Sequence, residues 1–216
     1  MLDVHPPHEA AHTWKDFFIH IATIVVGLII AVGLEQTVEA IHHRHQLHQL
    51  EQSLDQELER NQRLAQKDVA ELDELARIEE RNKVAVQRTM DAKVHVPLVL
   101  EASPLIERGD STTWAVPTAA TLTAARYNGT LSLVPQQQAV FLARLEFTTS
   151  TLTELSHQLF DAEYRVRTLS HLHADPAVFT LEERHDLLVA VSGLEEVARH
   201  TRLVLVRMTE ITRENQ

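Results

Sequence analysis

An unbroken apolar run near the beginning of the chain constrains the fold more than any other sequence feature. Residues 17–34 read FFIHIATIVVGLIIAVGL, and His20 is the single ionisable side chain among them. A helix rises about 1.5 Å per residue, so this run is just long enough to cross the hydrocarbon core of a bilayer. Trp14 and Lys15 precede it, where interfacial anchors are expected. The run predicts one transmembrane helix over residues 17–38, with the lipid bilayer as its partner.

The same run has two other interpretations, a buried helix of a soluble protein and a cleaved signal peptide. A buried helix is rarely apolar on every face, as this run is. Ala31-Val32-Gly33 resembles a small-x-small cleavage site. However, acidic residues precede the run in place of the basic region of a signal peptide. The sequence therefore favours a retained anchor.

Charge signals for the orientation of this helix are nearly balanced. Lys15 lies before the run, and Arg44 is the only Arg or Lys in the first twenty residues after it. A short tail of residues 1–16, followed by a large acidic domain without cysteine, favours a cytoplasmic N-terminus. We expect a single-pass protein of a bacterial inner membrane with a periplasmic C-terminal domain.

Helical signals continue beyond the membrane run. No glycine or proline lies between Gly33 and Pro97, so nothing local ends the helix at the membrane surface. Apolar residues recur mostly at steps of three and four residues, at Leu47, Leu50, Leu54, Leu58, Leu64, Leu72, Leu75 and Ile78. This pattern predicts an amphipathic stalk helix over residues 39–92 that packs against other helices.

The remaining residues contain stop and start signals of further helices. Residues 93–134 read as an irregular connection with a short, broken helix in which we expect Trp114 to be buried. Asn128-Gly129 ends that helix, with Gly129 in the left-handed conformation. Residues 135–216 hold two long helices, the first opened by Pro135 and the second by the capping box Thr180-Leu181-Glu182-Glu183. The fold predicted is all-α, an antiparallel helical bundle that includes the stalk.

Composition excludes several classes of function. The chain has no cysteine, which rules out disulfides, zinc–thiolate sites and thiol catalysis. Its formal net charge of -11 argues against nucleic-acid binding, which needs a basic surface. No Gly-rich phosphate loop and no G-x-S-x-G motif is present. We predict no catalytic residue and no cofactor.

Histidine is unusually frequent, and its first cluster matches a zinc motif. His8-Glu9-Ala10-Ala11-His12 fits H-E-x-x-H, in which two imidazoles on one helical face bind zinc and the glutamate acts as a base. A catalytic zinc needs a third protein ligand, and none lies nearby at a recognised spacing. A chance match is favoured, and the alternative is a metal-dependent hydrolase that uses His8 and His12 or the histidines that follow the membrane run.

A second histidine cluster follows the membrane run. His42, His45 and His48 lie three residues apart on one helical face, so pairs of them can chelate a metal. They can also gain charge on acidification and meet anionic headgroups. The third and favoured interpretation is a polar collar beside the membrane.

One face of the membrane helix carries small and polar residues, namely His20, Thr23, Gly27 and Ala31. A small-xxx-small row lets two helix backbones approach closely in lipid. We therefore expect this face to be the interface of a homo-oligomer. His20 is ionisable within the membrane, where a structural role and a proton-linked role are both open.

Adjacent glutamates occur at Glu79-Glu80, Glu182-Glu183 and Glu195-Glu196 and are interpreted as solvated faces.

Several residues resemble those of a group of uncharacterised bacterial single-span membrane proteins. The resemblance begins with Ile24-Val25-Val26-Gly27-Leu28-Ile29-Ile30-Ala31, and continues with an E-L-x-x-N motif at Glu57-Leu58-Glu59-Arg60-Asn61. It ends with Trp114, Asn128-Gly129, Leu131, Leu133 and Pro135. It implies an anchored helical domain and supplies no catalytic residue. We expect a structural, scaffolding or sensing protein of the cell envelope, with an envelope partner that the sequence does not identify.

Overall fold

The structure is a computed structural model that describes residues 14–91, 97–103, 115–172 and 178–214. These residues form four α-helices, one 3₁₀ helix and connecting loops, and contain no strand. The elements are α1 (Trp14–Asp91), α2 (Ala120–Tyr127), the 3₁₀ helix (Thr130–Leu133), α3 (Gln136–Ser170) and α4 (Leu181–Glu214). The all-α prediction is confirmed, and α1 ends within one residue of the expected boundary.

The chain divides into two compact units, Met1–Gln49 and Leu50–Gln216. The first unit contains the beginning of α1, a helix that is long and apolar enough to cross a membrane. None of the apolar window is buried in the structure. Side chains such as Ile24, Leu28 and Ile29 are about two-thirds exposed. Such a surface is stable only in contact with lipid or protein.

The second unit is a helical bundle built from the later part of α1 together with α2, α3 and α4. Most buried positions of α1 alternate between three- and four-residue steps, at Leu54, Leu58, Asn61, Ala65, Asp68, Leu72, Leu75, Glu79, Asn82, Val86 and Thr89, and Leu50, Glu57 and Ile78 are buried beside them. This seven-residue repeat keeps one stripe of α1 facing its neighbours. The apolar members pack with fully buried leucines of the other long helices, including Leu145, Leu152 and Leu159 of α3 and Leu187, Leu194 and Leu205 of α4.

A smaller apolar cluster holds α2 against α1 and α3. Leu50 and Leu54 of α1 meet Leu122 and Ala125 of α2, and Leu142 of α3 completes the cluster.

Ion pairs join α1 to α4 on the outside of the bundle. Arg202 Nε lies 2.5 Å from Asp73 Oδ1. These exposed charges contribute little compared with the apolar core.

The local helix signals have the predicted geometry. Gly129 has φ of 79°, and the Thr130 amide donates to Asn128 Oδ1 at 3.0 Å. The capping box closes α4, because Thr180 N donates to Glu183 Oε2 at 2.8 Å and Glu183 N donates to Thr180 Oγ1 at 3.2 Å. Trp114, predicted to be buried, lies outside the described residues.

Candidate functional site

Two polar pairs on the buried stripe of α1 hold the connection between α1 and α3. The first pair, Glu57 and Asn61, belongs to the E-L-x-x-N motif. Asn61 binds the backbone of Thr118 twice, donating to its oxygen at 2.7 Å and accepting from its nitrogen at 3.2 Å. Both side chains are buried, and their hydrogen bonds offset the cost of removing them from water.

The Glu57 carboxylate also caps α2. Its Oε1 accepts from Thr118 Oγ1 at 2.9 Å and from Ala120 N at 2.8 Å, and its Oε2 accepts from Thr121 N at 2.9 Å. The residue at the start of α2 is Ala119, whose side chain cannot cap a helix. A glutamate from another helix therefore satisfies the free amides at the beginning of α2.

The second pair, Glu79 and Asn82, lies about six turns further along α1. Asn82 repeats the bonding of Asn61, because its side chain accepts from Glu101 N at 2.7 Å and donates to Glu101 O at 3.1 Å. Arg81 binds the Glu101 carboxylate with two hydrogen bonds of 2.7 Å. The segment around Glu101 is thus fixed to α1 through both backbone and side chain.

Glu79 differs from Glu57 in its partners. Its carboxyl is 1% exposed, yet among the described residues it receives a single hydrogen bond, from Asn82 Nδ2 to Oε2 at 3.3 Å. No backbone amide of the described residues donates to it. In the second pair, the asparagine therefore makes the same backbone contacts as in the first pair. The glutamate lacks most of the hydrogen-bond donors that Glu57 has and is largely unsatisfied.

A cavity of about 230 Å³ lies beside this carboxyl. Glu79 and Asn82 of α1, Val166 of α3 and Leu194 of α4 line it, and the segment from Leu98 to Ser103 closes one side. The cavity lies wholly within the bundle unit. It combines apolar walls with a few polar groups, as small-molecule sites usually do.

Burial and neighbouring acids alter the titration of Glu79. The pKa of Glu79 is raised from 4.5 to about 7, mainly by removal from water, and the Asn82 hydrogen bond opposes this rise in part. The carboxylates of Glu163 on α3, Glu195 on α4 and Glu101 in the connection contribute the rest of the rise. Glu79 therefore exchanges its proton near neutral pH.

The acids around Glu79 are themselves held by partners. Ser103 Oγ donates to Glu163 Oε1 at 3.1 Å, and burial raises the pKa of Glu163. Glu195 is bound by Lys83 Nζ at 2.8 Å and by Arg199 at 2.5 Å. Lys83 and Arg199 are thus both engaged with Glu195.

The interpretation of the adjacent glutamates as solvated faces was wrong for two residues. Glu79 is 1% exposed and Glu195 is 7% exposed, whereas Glu80 and Glu196 lie on the surface. The signal that could have found Glu79 is its position in the seven-residue repeat between Leu75 and Asn82. The apolar members of that repeat alone do not reveal it.

The predicted histidine sites are not assembled in the described part of the chain. His42 pairs with Gln46 at 3.1 Å and His45 pairs with Gln49 at 2.9 Å, each one turn along the helix. No group of three or more His, Asp or Glu side chains positioned for a metal occurs among the described residues. His8 and His12 lie outside those residues.

The predicted membrane interface lies on the exposed surface of α1. His20, Thr23, Gly27 and Ala31 are all exposed in the single chain. Thr23 Oγ1 donates to Ile19 O at 2.9 Å, and open space surrounds Gly27.

Comparison of the chain with protein-family models, with curated proteins and with solved structures gives no match.

Proposed function

We propose that this protein is a single-pass membrane protein whose helical domain senses a small molecule without converting it chemically. The domain is assigned to the periplasmic side of a bacterial inner membrane, and the chain is assigned a homo-oligomeric state through its membrane helix. The exposed apolar segment of α1 supports the anchor, and its position before a folded bundle supports the single-pass arrangement.

The observation that carries the sensing role is the cavity beside Glu79. A purely structural bundle gains stability by filling its interior, because every void loses packing contacts. Here a cavity of about 230 Å³ adjoins a buried carboxyl that has one long hydrogen bond. Keeping both is costly for stability, and a bound ligand would offset that cost.

The absence of cysteine makes the topology straightforward to test. Single cysteines replace Lys15, before the apolar segment, and Ser150, exposed on α3. A membrane-impermeant maleimide should label Ser150→Cys in spheroplasts, and should label Lys15→Cys only after permeabilisation. The full-length chain should also stay in the membrane through alkaline carbonate. Release by carbonate, or the reverse labelling pattern, would contradict the proposed anchor and orientation.

The sensing role is tested by filling the cavity. Val166 lines it, and Val166→Phe would place a ring in the empty volume. A panel of small amphipathic molecules should include compounds that raise the melting temperature of the wild-type chain, lose this effect in Val166→Phe, and are recovered unchanged. Val189→Phe, at an exposed position of α4, is the matched control. A panel in which no compound distinguishes the two variants would refute the sensing role.

A further inference from the structure

We propose that the cavity between Glu79, the segment around Glu101, the C-terminal end of α3 and the middle of α4 binds a small organic amine in its ammonium form, with the ammonium on Glu79 and a hydrocarbon body against the apolar wall. This inference rests on the proposed sensing function and adds the chemical class of the ligand.

The Glu79 carboxyl supplies the anchor for the cation. Among the described residues, its Oε1 accepts no hydrogen bond, and Oε2 accepts one bond of 3.3 Å. Glu57, the equivalent residue of the first pair, accepts three hydrogen bonds. A primary ammonium carries three donors, enough to supply the two hydrogen bonds by which Glu79 falls short of Glu57. The ammonium would take the place that backbone amides and a hydroxyl take at Glu57.

Electrostatics at this carboxyl favour a cation over an anion or a neutral molecule. Glu163, Glu195 and Glu101 approach Glu79 from the three elements packed against it. Among the described residues, no Lys or Arg lines the cavity and His171 is the one basic residue that does, while Arg81 is engaged by Glu101. An anion would therefore meet repulsion at the polar end, while a cation would relieve the mutual repulsion of these carboxylates.

The walls and the volume define the rest of the ligand. Leu98, Leu100, Phe179 and Leu194 supply an apolar surface opposite the polar end. An apolar cavity of about 150 Å³ accommodates benzene, so a cavity of about 230 Å³ has room for about nine non-hydrogen atoms. A hard metal cation would instead need six or more oxygen ligands, which these walls do not offer. The site thus fits a monoamine with a compact hydrocarbon body.

Proton binding to Glu79 competes with the amine. The pKa of Glu79 is about 7, whereas an alkylammonium keeps its proton well above that pH. Raising the pH from 6 to 8 increases the charged fraction of Glu79 from about a tenth to about nine-tenths, so amine affinity should rise about tenfold.

Calorimetric titration of the full-length chain in detergent tests this inference with 2-phenylethylamine, which has nine non-hydrogen atoms. We expect saturable binding at one site, an affinity about tenfold higher at pH 8 than at pH 6, and at least about a tenfold loss of affinity in Glu79→Gln. Glu59→Gln, at an exposed position of the same helix, should bind like the wild type. The pH series is measured on the wild-type chain, so its result does not depend on whether the variant folds.

Two probes of matched size separate the ligand class from the sensing role. 2-Phenylethanol and phenylacetate should bind at least tenfold more weakly than the amine. If either binds the cavity as well as the amine does, the cation assignment is overturned while the proposed sensing function stands. If none of the three binds, or if the amine binds equally to Glu79→Gln, the inference is overturned. The anchor and orientation are decided separately by the cysteine labelling.

Discussion

The amide of Thr121 donates a hydrogen bond of 2.9 Å to the Glu57 carboxylate, across 64 residues of sequence. Helix α2 thus receives its N-terminal cap from helix α1. The cap ties the short helix to the bundle through polar contacts as well as through the apolar cluster that includes Leu54 and Leu122.

Removal of this cap should destabilise the bundle. Glu57→Ala leaves two backbone amides and the Thr118 hydroxyl without their acceptor in a buried position, which should cost about 2–3 kcal/mol. For a chain of this size that is a decrease of about 5–10 °C in melting temperature. Thermal unfolding followed by circular dichroism in detergent measures it.

Glu59→Ala is the control for the cap, because Glu59 lies two residues away with its side chain exposed. It should lower the stability by less than about 0.5 kcal/mol. Equal effects of the two substitutions would show that the cap contributes nothing beyond helix propensity.

Stability should decrease as the pH rises through the titration range of Glu79. Its pKa is about 7 in the folded protein against 4.5 for an unperturbed glutamate, so between these values the folded state holds a proton that the unfolded chain releases. The free energy of unfolding therefore falls from about pH 4.5 to 7, by about 3 kcal/mol at most, and stays low above pH 7. Glu79→Gln should remove the share of this fall that Glu79 contributes and leave the share of Glu163, whose pKa burial also raises.

The measurement is the melting temperature of the wild type and Glu79→Gln between pH 5 and 8. The variant should exceed the wild type most at pH 8 and approach it at pH 5. Glu59→Gln should follow the wild-type profile. Parallel profiles for all three chains would mean that Glu79 does not take up a proton on folding.

Replacement of two glycines by alanine should change the free energy of unfolding in opposite directions. Gly129 has φ of 79°, and nothing lies within 4 Å of an added Cβ, so Gly129→Ala should cost about 1–2 kcal/mol through backbone strain alone. Gly193 lies inside α4, also in open space, and Gly193→Ala should stabilise by about 0.5–1 kcal/mol. Denaturation of both variants under one condition gives the comparison. If both variants were stabilised, the left-handed conformation assigned to Gly129 would be contradicted.

Self-association should depend on the small-residue face of the membrane helix. Gly27→Ile places a branched side chain where open space surrounds the backbone in the single chain, and should weaken an oligomer in a membrane two-hybrid assay. Ile29→Leu, at an exposed apolar position of the same helix, should leave association unchanged. If both variants associate as the wild type does, the oligomer does not use this face.

Local sequence signals predicted most of the fold. They did not predict features that depend on burial by other helices. The capping box at Thr180 and the left-handed Gly129 were predictable because each depends on a few adjacent residues. The burial of Glu79 was not, since a glutamate on a helix is solvated unless other helices cover it. The E-L-x-x-N motif resembles that of uncharacterised single-span membrane proteins. Its physical role, holding residues 118–121, depends on contacts between residues about 60 apart in the sequence.

The two polar pairs also exclude alternative alignments of α1. A stripe that repeats every seven residues would keep an inward face if the helix slipped by one repeat in either direction. Such a slip would put Leu50 or Leu64 where Glu57 now receives the amides of Ala120 and Thr121. Neither leucine can accept those hydrogen bonds, so each misaligned packing would bury unsatisfied donors at a cost of about 1–3 kcal/mol apiece. The buried acids thus select a single register among several that hydrophobic contacts alone would tolerate.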